Sequence, residues 1–133
     1  MRPFCVAADQ VEVCWEDFAH FFQEFEKHGA DLSAYEAKQR AQNAQIQVWG
    51  LQDDQAVRGI VTTEMMRTAR GLVCVITMAQ GTAAEEPKRR LLTAIIEWAR
   101  ERGCVCVRLQ GRRGWLRWDK RFKQTGIVAE LDL

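Results

Sequence analysis

Long apolar runs, histidines, prolines and paired cysteines are all scarce in this chain of 133 residues, and each shortage closes a class of function. No stretch approaches the roughly 18 apolar residues that a membrane helix needs. The opening MRPFCVAADQVEVCWED turns acidic before a signal-peptide core develops, so a cytoplasmic protein without a membrane span is expected. His20 and His28 are the only histidines and no CxxC pair occurs, which leaves no ligand set at zinc spacing; no metal is expected. Cys5, Cys14, Cys74, Cys104 and Cys106 are odd in number and mostly sit in apolar, strand-like runs. They read as buried free thiols of a reducing compartment rather than a disulfide framework.

What is present describes an ordinary globular chain. With 47% hydrophobic and 28% charged residues, its length suits one domain spanning 1–133 that can bury a core without staples. The net charge of +1 conceals a polarity: residues 1–54 hold ten acids and four bases, residues 55–133 eight acids and fifteen bases. Arg108 to Lys123 contains seven bases against Asp119 alone. A cationic C-terminal half suits an anionic ligand or partner.

Phe4 to Ala7 reads as an opening strand. Trp15, Phe18, Phe22 and Phe25 recur at steps of three and four, which predicts a helix over Glu16 to His28 with an inward aromatic stripe and Gly29 as its stop. A second, polar helix follows, capped by Asp31 or Ser33 and anchored by Leu32, Tyr35 and Ile46. From Gln45 the period changes to two. IQVWGLQ, AVRGIVTTEMM and LVCVITMA are separated by breaks too short for parallel crossovers, so they predict an antiparallel meander whose last member is buried on both faces. Leu91, Leu92, Ile95, Ile96 and Ala99 mark a helix over Lys88 to Arg102, with Pro87 at its first position and Gly103 beyond its end. CVCVRLQ is then a strand parallel to the one before the helix. A short basic, aromatic helix near Trp115 to Lys123 and a final strand from Ile127 to Leu133 complete an α/β order with about six strands and four helices.

This order resembles the GNAT superfamily of N-acyltransferases over nearly the whole chain. IQVWGLQDDQAVRGIVTTEM is similar to that family's second and third strands, and RRLLTAIIEWARERGCVCVRLQ to its long helix and following strand. GCVCVRLQGRRGWLRW resembles a GNAT-like subset among phage and prophage proteins, in which GR-x-GW follows that strand. The resemblance implies a mixed sheet with an antiparallel meander and one parallel crossover. It also implies acetyl-CoA as acyl donor and an amine as acceptor. Mapped onto this chain, Met78, Ala79, Gln80 and Gly81 would pair with the pantetheine arm, and Lys88, Arg89 and Arg90 would face the phosphates.

The chain departs from the family pattern at two places. The family's glycine-rich phosphate loop corresponds to Ala83 to Lys88 (AAEEPK), which has no glycine and two acids. The tyrosine that protonates the departing thiolate corresponds to Phe122, while Tyr35, the only tyrosine, lies elsewhere. Glu64 is the one carboxylate deep in a strand-like run. It would take a proton from the amine if it faces the cleft, and would be the polar member of an alternating strand if it faces solvent.

The departures leave a second reading open: a non-catalytic GNAT-fold binding module, phage-derived, that holds a partner. Arg112, Arg113, Trp115, Arg117 and Trp118 could place guanidinium groups on phosphates and indoles on exposed bases of a nucleic acid. They could equally face an acidic protein, including the acidic half of a second copy in a homodimer. In the plainer alternative the indoles pack inward and the bases stay solvated.

Overall fold

The computed structural model describes residues 1–28, 32–81, 84–109, 119–126 and 128–133. Its elements run β1 (Arg2–Val6), a 3-10 turn at Ala8–Gln10, α1 (Val11–Lys27), α2 (Ala34–Gln42), β2 (Gln47–Gln52), β3 (Val57–Thr68), β4 (Gly71–Gly81), α3 (Glu85–Glu101) and β5 (Cys106–Leu109). The five strands form one sheet in the order β1-β2-β3-β4-β5, antiparallel throughout except for the parallel pair β4–β5. A parallel pair cannot be joined by a tight turn, and α3 supplies the crossover.

α1 begins five residues before the aromatic stripe predicted it, because Val11 is itself buried and extends the apolar face. Phe18, Phe21 and Phe22 pack with Ile46, Val48, Ile60 and Met78 on one side of the sheet. Trp15 stacks on Phe22 with ring centroids 4.9 Å apart. In α2, Ser33 is the cap and accepts from the Glu36 amide at 3.1 Å; Asp31, the other candidate, lies outside the described residues. Tyr35 is no anchor, being 70% exposed; Ala37 and Ala41 are buried instead. Small side chains let this helix lie close against α1, and the longer tyrosine points outward. Glu12 ties the two helices, accepting from Lys38 at 2.9 Å and Gln42 at 2.8 Å.

The opposite side of the sheet is covered by α3. Leu91, Leu92, Ile95 and Ala99 pack on Trp49, Leu51, Val61, Cys74 and Ile76. Truncating any of these leucines to alanine would cost about 2–5 kcal/mol, since a close-packed interior relaxes only partly around a void. α3 starts at Glu85, so Pro87 occupies its third position rather than its first. It ends as the sequence predicts: Gly103 takes φ +80° and the Cys104 amide reaches back to the Ala99 carbonyl at 3.0 Å, the Schellman closure that favours glycine.

Three expectations need correction. Of the five cysteines only Cys74 is buried: Cys5 and Cys106 lie on β1 and β5 at the ends of the strand order, Cys104 just before β5, and Cys14 on α1. The helix expected near Trp115 to Lys123 lies in its first part, 115–118, outside the described residues; residues 119–122 form a turn in which Asp119 accepts from the Arg121 amide at 2.9 Å, and this local bond replaces helical pairing there. Residues 128–133 form no strand: Val128 is 79% and Leu131 86% exposed. Alternating apolarity alone does not hold a strand that has no paired neighbour.

Candidate active site

β4 is the longest-paired element on one side and the shortest-paired on the other. Its whole length, from Gly71 opposite Thr68 to Gly81 opposite Gly59, runs against β3. Among the described residues it pairs with β5 at Val73–Ile76. From Thr77 to Gly81 no strand among the described residues lies on that outer side, and the main-chain N–H and C=O groups there have no ladder partner among them.

A bulge sits where this free edge begins. Thr62 pairs with Met78 and Thr63 with Ile76, so Thr77 is an extra residue in β4. A bulge breaks the ladder locally and re-aims the side chains beyond it. Before it, Cys74 and Ile76 face α3; after it, Met78 faces α1. The Thr77 and Thr62 hydroxyls meet at 2.8 Å and fix the irregularity. On the α3 side Trp49 Nε1 donates to Thr63 Oγ1 at 3.0 Å, and Thr63 donates to Gln47 Oε1 at 2.9 Å, which leaves the buried indole N–H satisfied.

Glu64 stands half-buried on β3 opposite Val75, two residues from Thr62 and therefore on the same face, the one toward α1. Arg108 of β5 is registered with Val75 in turn, so Glu64, Val75 and Arg108 form a row across three strands. Met78, Ala79, Gln80 and Gly81 make up the free end of β4. Gly81, at φ +135°, is held so close to β3 that a side-chain carbon would come within 2.4 Å of Gly59 Cα.

The first turns of α3 carry Lys88, Arg89 and Arg90. Lys88 Nζ is 3.7 Å from Glu85 and Arg90 Nε 3.1 Å from Glu86, and Arg90 also donates to the Met1 carbonyl at 2.9 Å. Arg89 is exposed and acts on Asp119, whose carboxyl is drawn down to about 2 chiefly by the Arg121 hydrogen bond. The residues set aside for a nucleic-acid or protein partner, Arg112, Arg113, Trp115, Arg117 and Trp118, lie outside the described residues. Phe122 packs against the α3 side of the core.

A separate open cavity of about 300 Å³, lined by Ile96, Ala99, Cys104, Val105 and Phe122 among others, opens beside the start of β5. It lies at the opposite end of the sheet from Thr77–Gly81, because β4 and β5 run parallel and Val105 bonds to Leu72 there. The thiol best placed near the strands, Cys74, is pushed up to about 12, first by burial and then by Cys104 and Cys106. It stays protonated at neutral pH and is no nucleophile.

The bulge at Thr77 was not legible in the sequence pattern. Its only mark in the sequence is a threonine in the otherwise apolar run LVCVITMA, matched by the TT of β3.

Several solved structures that share this fold are acetyltransferases. One, an aminoglycoside acetyltransferase from an uncultured soil metagenomic sample in complex with sisomicin, superposes with a TM-score of 0.76 at 12% identity, covering 99% of this chain and 95% of that one. The chain has a GNAT-like fold. A predicted acetyltransferase with acetyl-CoA from Clostridium acetobutylicum matches with a TM-score of 0.70 at 13% identity over 98% and 95% of the two chains. A ribosomal-protein-alanine N-acetyltransferase from Brucella melitensis biovar Abortus 2308 matches with 0.67 at 13% over 100% and 96%. No protein-family model and no curated protein sequence matches this chain.

Proposed function

We propose that this protein transfers an acyl group, nominally acetyl, from a thioester donor to the amine of an acceptor. The observation that carries this reading is the outer edge of β4 at Thr77–Gly81, free of a strand among the described residues and opened by the bulge at Thr77, within a fold shared with acetyltransferases. A pantetheine arm contains two amides and can add to such an edge as another strand would. Met78, Ala79, Gln80 and Gly81 are the residues whose main chain would grip it.

The acceptor's neutral amine attacks the thioester carbonyl carbon, the C–N bond forms, and collapse of the tetrahedral adduct breaks the C–S bond. Main-chain N–H groups released from the ladder near Thr77 would stabilise the oxyanion. The ammonium proton passes to a base, for which Glu64 is the candidate. A thiol leaving group has a pKa of about 8.5, so the thiolate can depart and take its proton from water, and the absence of a hydroxyl at Phe122 is no obstacle. The reaction needs no covalent enzyme intermediate, in keeping with the inert Cys74. Rate would come from holding donor and amine at attack distance.

The test is direct. The full chain is incubated with acetyl-CoA and a panel of primary amines, including an aminoglycoside and a peptide with an N-terminal alanine, and products are read by mass spectrometry. Acetylated amine above the uncatalysed background is the expected result. No product with any acceptor, together with no rise in melting temperature at millimolar acetyl-CoA, would remove this reading.

A further inference from the structure

The end of β4 meets the needs of a pantetheine arm, and the start of α3 does not meet those of a nucleotide diphosphate. The ladder with β3 continues to Gly81 and α3 begins at Glu85, so only residues 82–84, Thr-Ala-Ala in the sequence, connect them. None is glycine, the residue that lets a phosphate approach main-chain N–H groups closely. At the helix start the cap residue Ala84 offers no side-chain oxygen, Pro87 has no N–H, and the Lys88 amide is spent on the Ala84 carbonyl at 3.3 Å. The amides of Glu85 and Glu86 remain, each accompanied by its own carboxylate. That first turn is thus already supplied with the negative charge its dipole favours. Lys88 and Arg90 are turned onto these carboxylates, and Arg90 also onto Met1.

Resting on the acyl-transfer reading above, we propose that the donor recognised here is an acyl-pantetheine thioester without adenosine diphosphate: the arm is gripped by β4, and a nucleotide, where one is attached, stays in solvent. The shared chemistry is the acylated pantetheine thiol. Its source is either a small free thioester or a phosphopantetheine group borne by a carrier protein.

Calorimetric titration of the full chain with acetyl-pantetheine, acetyl-4′-phosphopantetheine and acetyl-CoA at one ionic strength tests it. The three dissociation constants should agree within about threefold. Acetyl-CoA binding tighter than acetyl-pantetheine by about tenfold or more overturns the proposal while leaving acyl transfer standing. Binding of none of them overturns both. In the double variant Glu85→Gln/Glu86→Gln, checked for an unchanged melting curve, acetyl-CoA alone should gain affinity; an equal gain for acetyl-pantetheine would refute the exclusion of the nucleotide by these carboxylates. The source is read from KM. A lower value for acetyl-phosphopantetheine on a carrier protein than for the free compound supports the protein-borne donor, and equal values support the free thioester.

Discussion

At the scale of single residues, the threonine pair at the bulge and the carboxylate two positions away carry separable roles. Thr62 and Thr77 meet through their hydroxyls at 2.8 Å, and the Thr77 hydroxyl also reaches the Thr62 carbonyl at 3.4 Å, in a partly buried setting. Thr62→Val and Thr77→Val should each cost about 1 kcal/mol, and the double variant less than the sum, because either change already removes the bond between the two hydroxyls. Urea unfolding of the four proteins measures this, and strict additivity would show that the pair is not coupled. Glu64→Gln keeps the size and removes the proton acceptor. If Glu64 is the base, kcat should fall about 100-fold or more with stability unchanged. A wild-type pH–rate profile in the variant would show that Glu64 is not the base.

At the scale of elements, the β2–β3 turn and the β4–α3 junction are the places where a single change propagates. Asp53 closes the turn, accepting from the Gln55 and Ala56 amides at 2.9 Å and from Arg58 at 2.7 Å. The Arg58 hydrogen bond, followed by those of Ala56 and Gln55, draws its carboxyl from the ordinary 3.8 down to about 2. The folded state therefore binds this proton less readily than the unfolded one. The contribution to stability is complete above pH 3.8 and is lost as pH falls toward about 2. Asp53→Asn should flatten that acid limb, as read from urea midpoints across this range; an identical limb would dismiss the turn as its cause. Gly81→Ala places a carbon 2.4 Å from Gly59 Cα at φ +135° and should cost about 1–3 kcal/mol. Gly126→Ala, with nothing within 4 Å, is the neutral control. Equal denaturation midpoints for the two variants would contradict the close packing of β4 on β3.

At the scale of the whole molecule, two helical layers press on one sheet from opposite sides, and the C-terminal residues take no part in either. Val128, Leu131 and Leu133 are exposed, so removing residues 128–133 should change the stability by less than about 0.5 kcal/mol. Thermal unfolding of the shortened chain checks this, and a large loss would mean that these residues dock on the sheet. The same contrast shows what was readable in advance. The helix of Leu91, Leu92, Ile95 and Ala99 and the meander of three strands were plain, because periods of 3.6 and 2 are written locally and each pattern has a single way to bury its apolar side. The C-terminal strand carried the same alternation and did not form.

Local chemistry thus determined the helices α1, α2 and α3, the three strands of the meander, and where Gly103 stops α3. Only the tertiary structure decided that Thr77 is an extra residue in β4 relative to β3, that Glu64, Val75 and Arg108 share a row, and that Lys88 and Arg90 answer to neighbouring carboxylates. Those features depend on register and pairing between segments far apart in the chain. A periodic pattern specifies which side of a strand is buried, and it carries no information about how far its neighbour runs alongside.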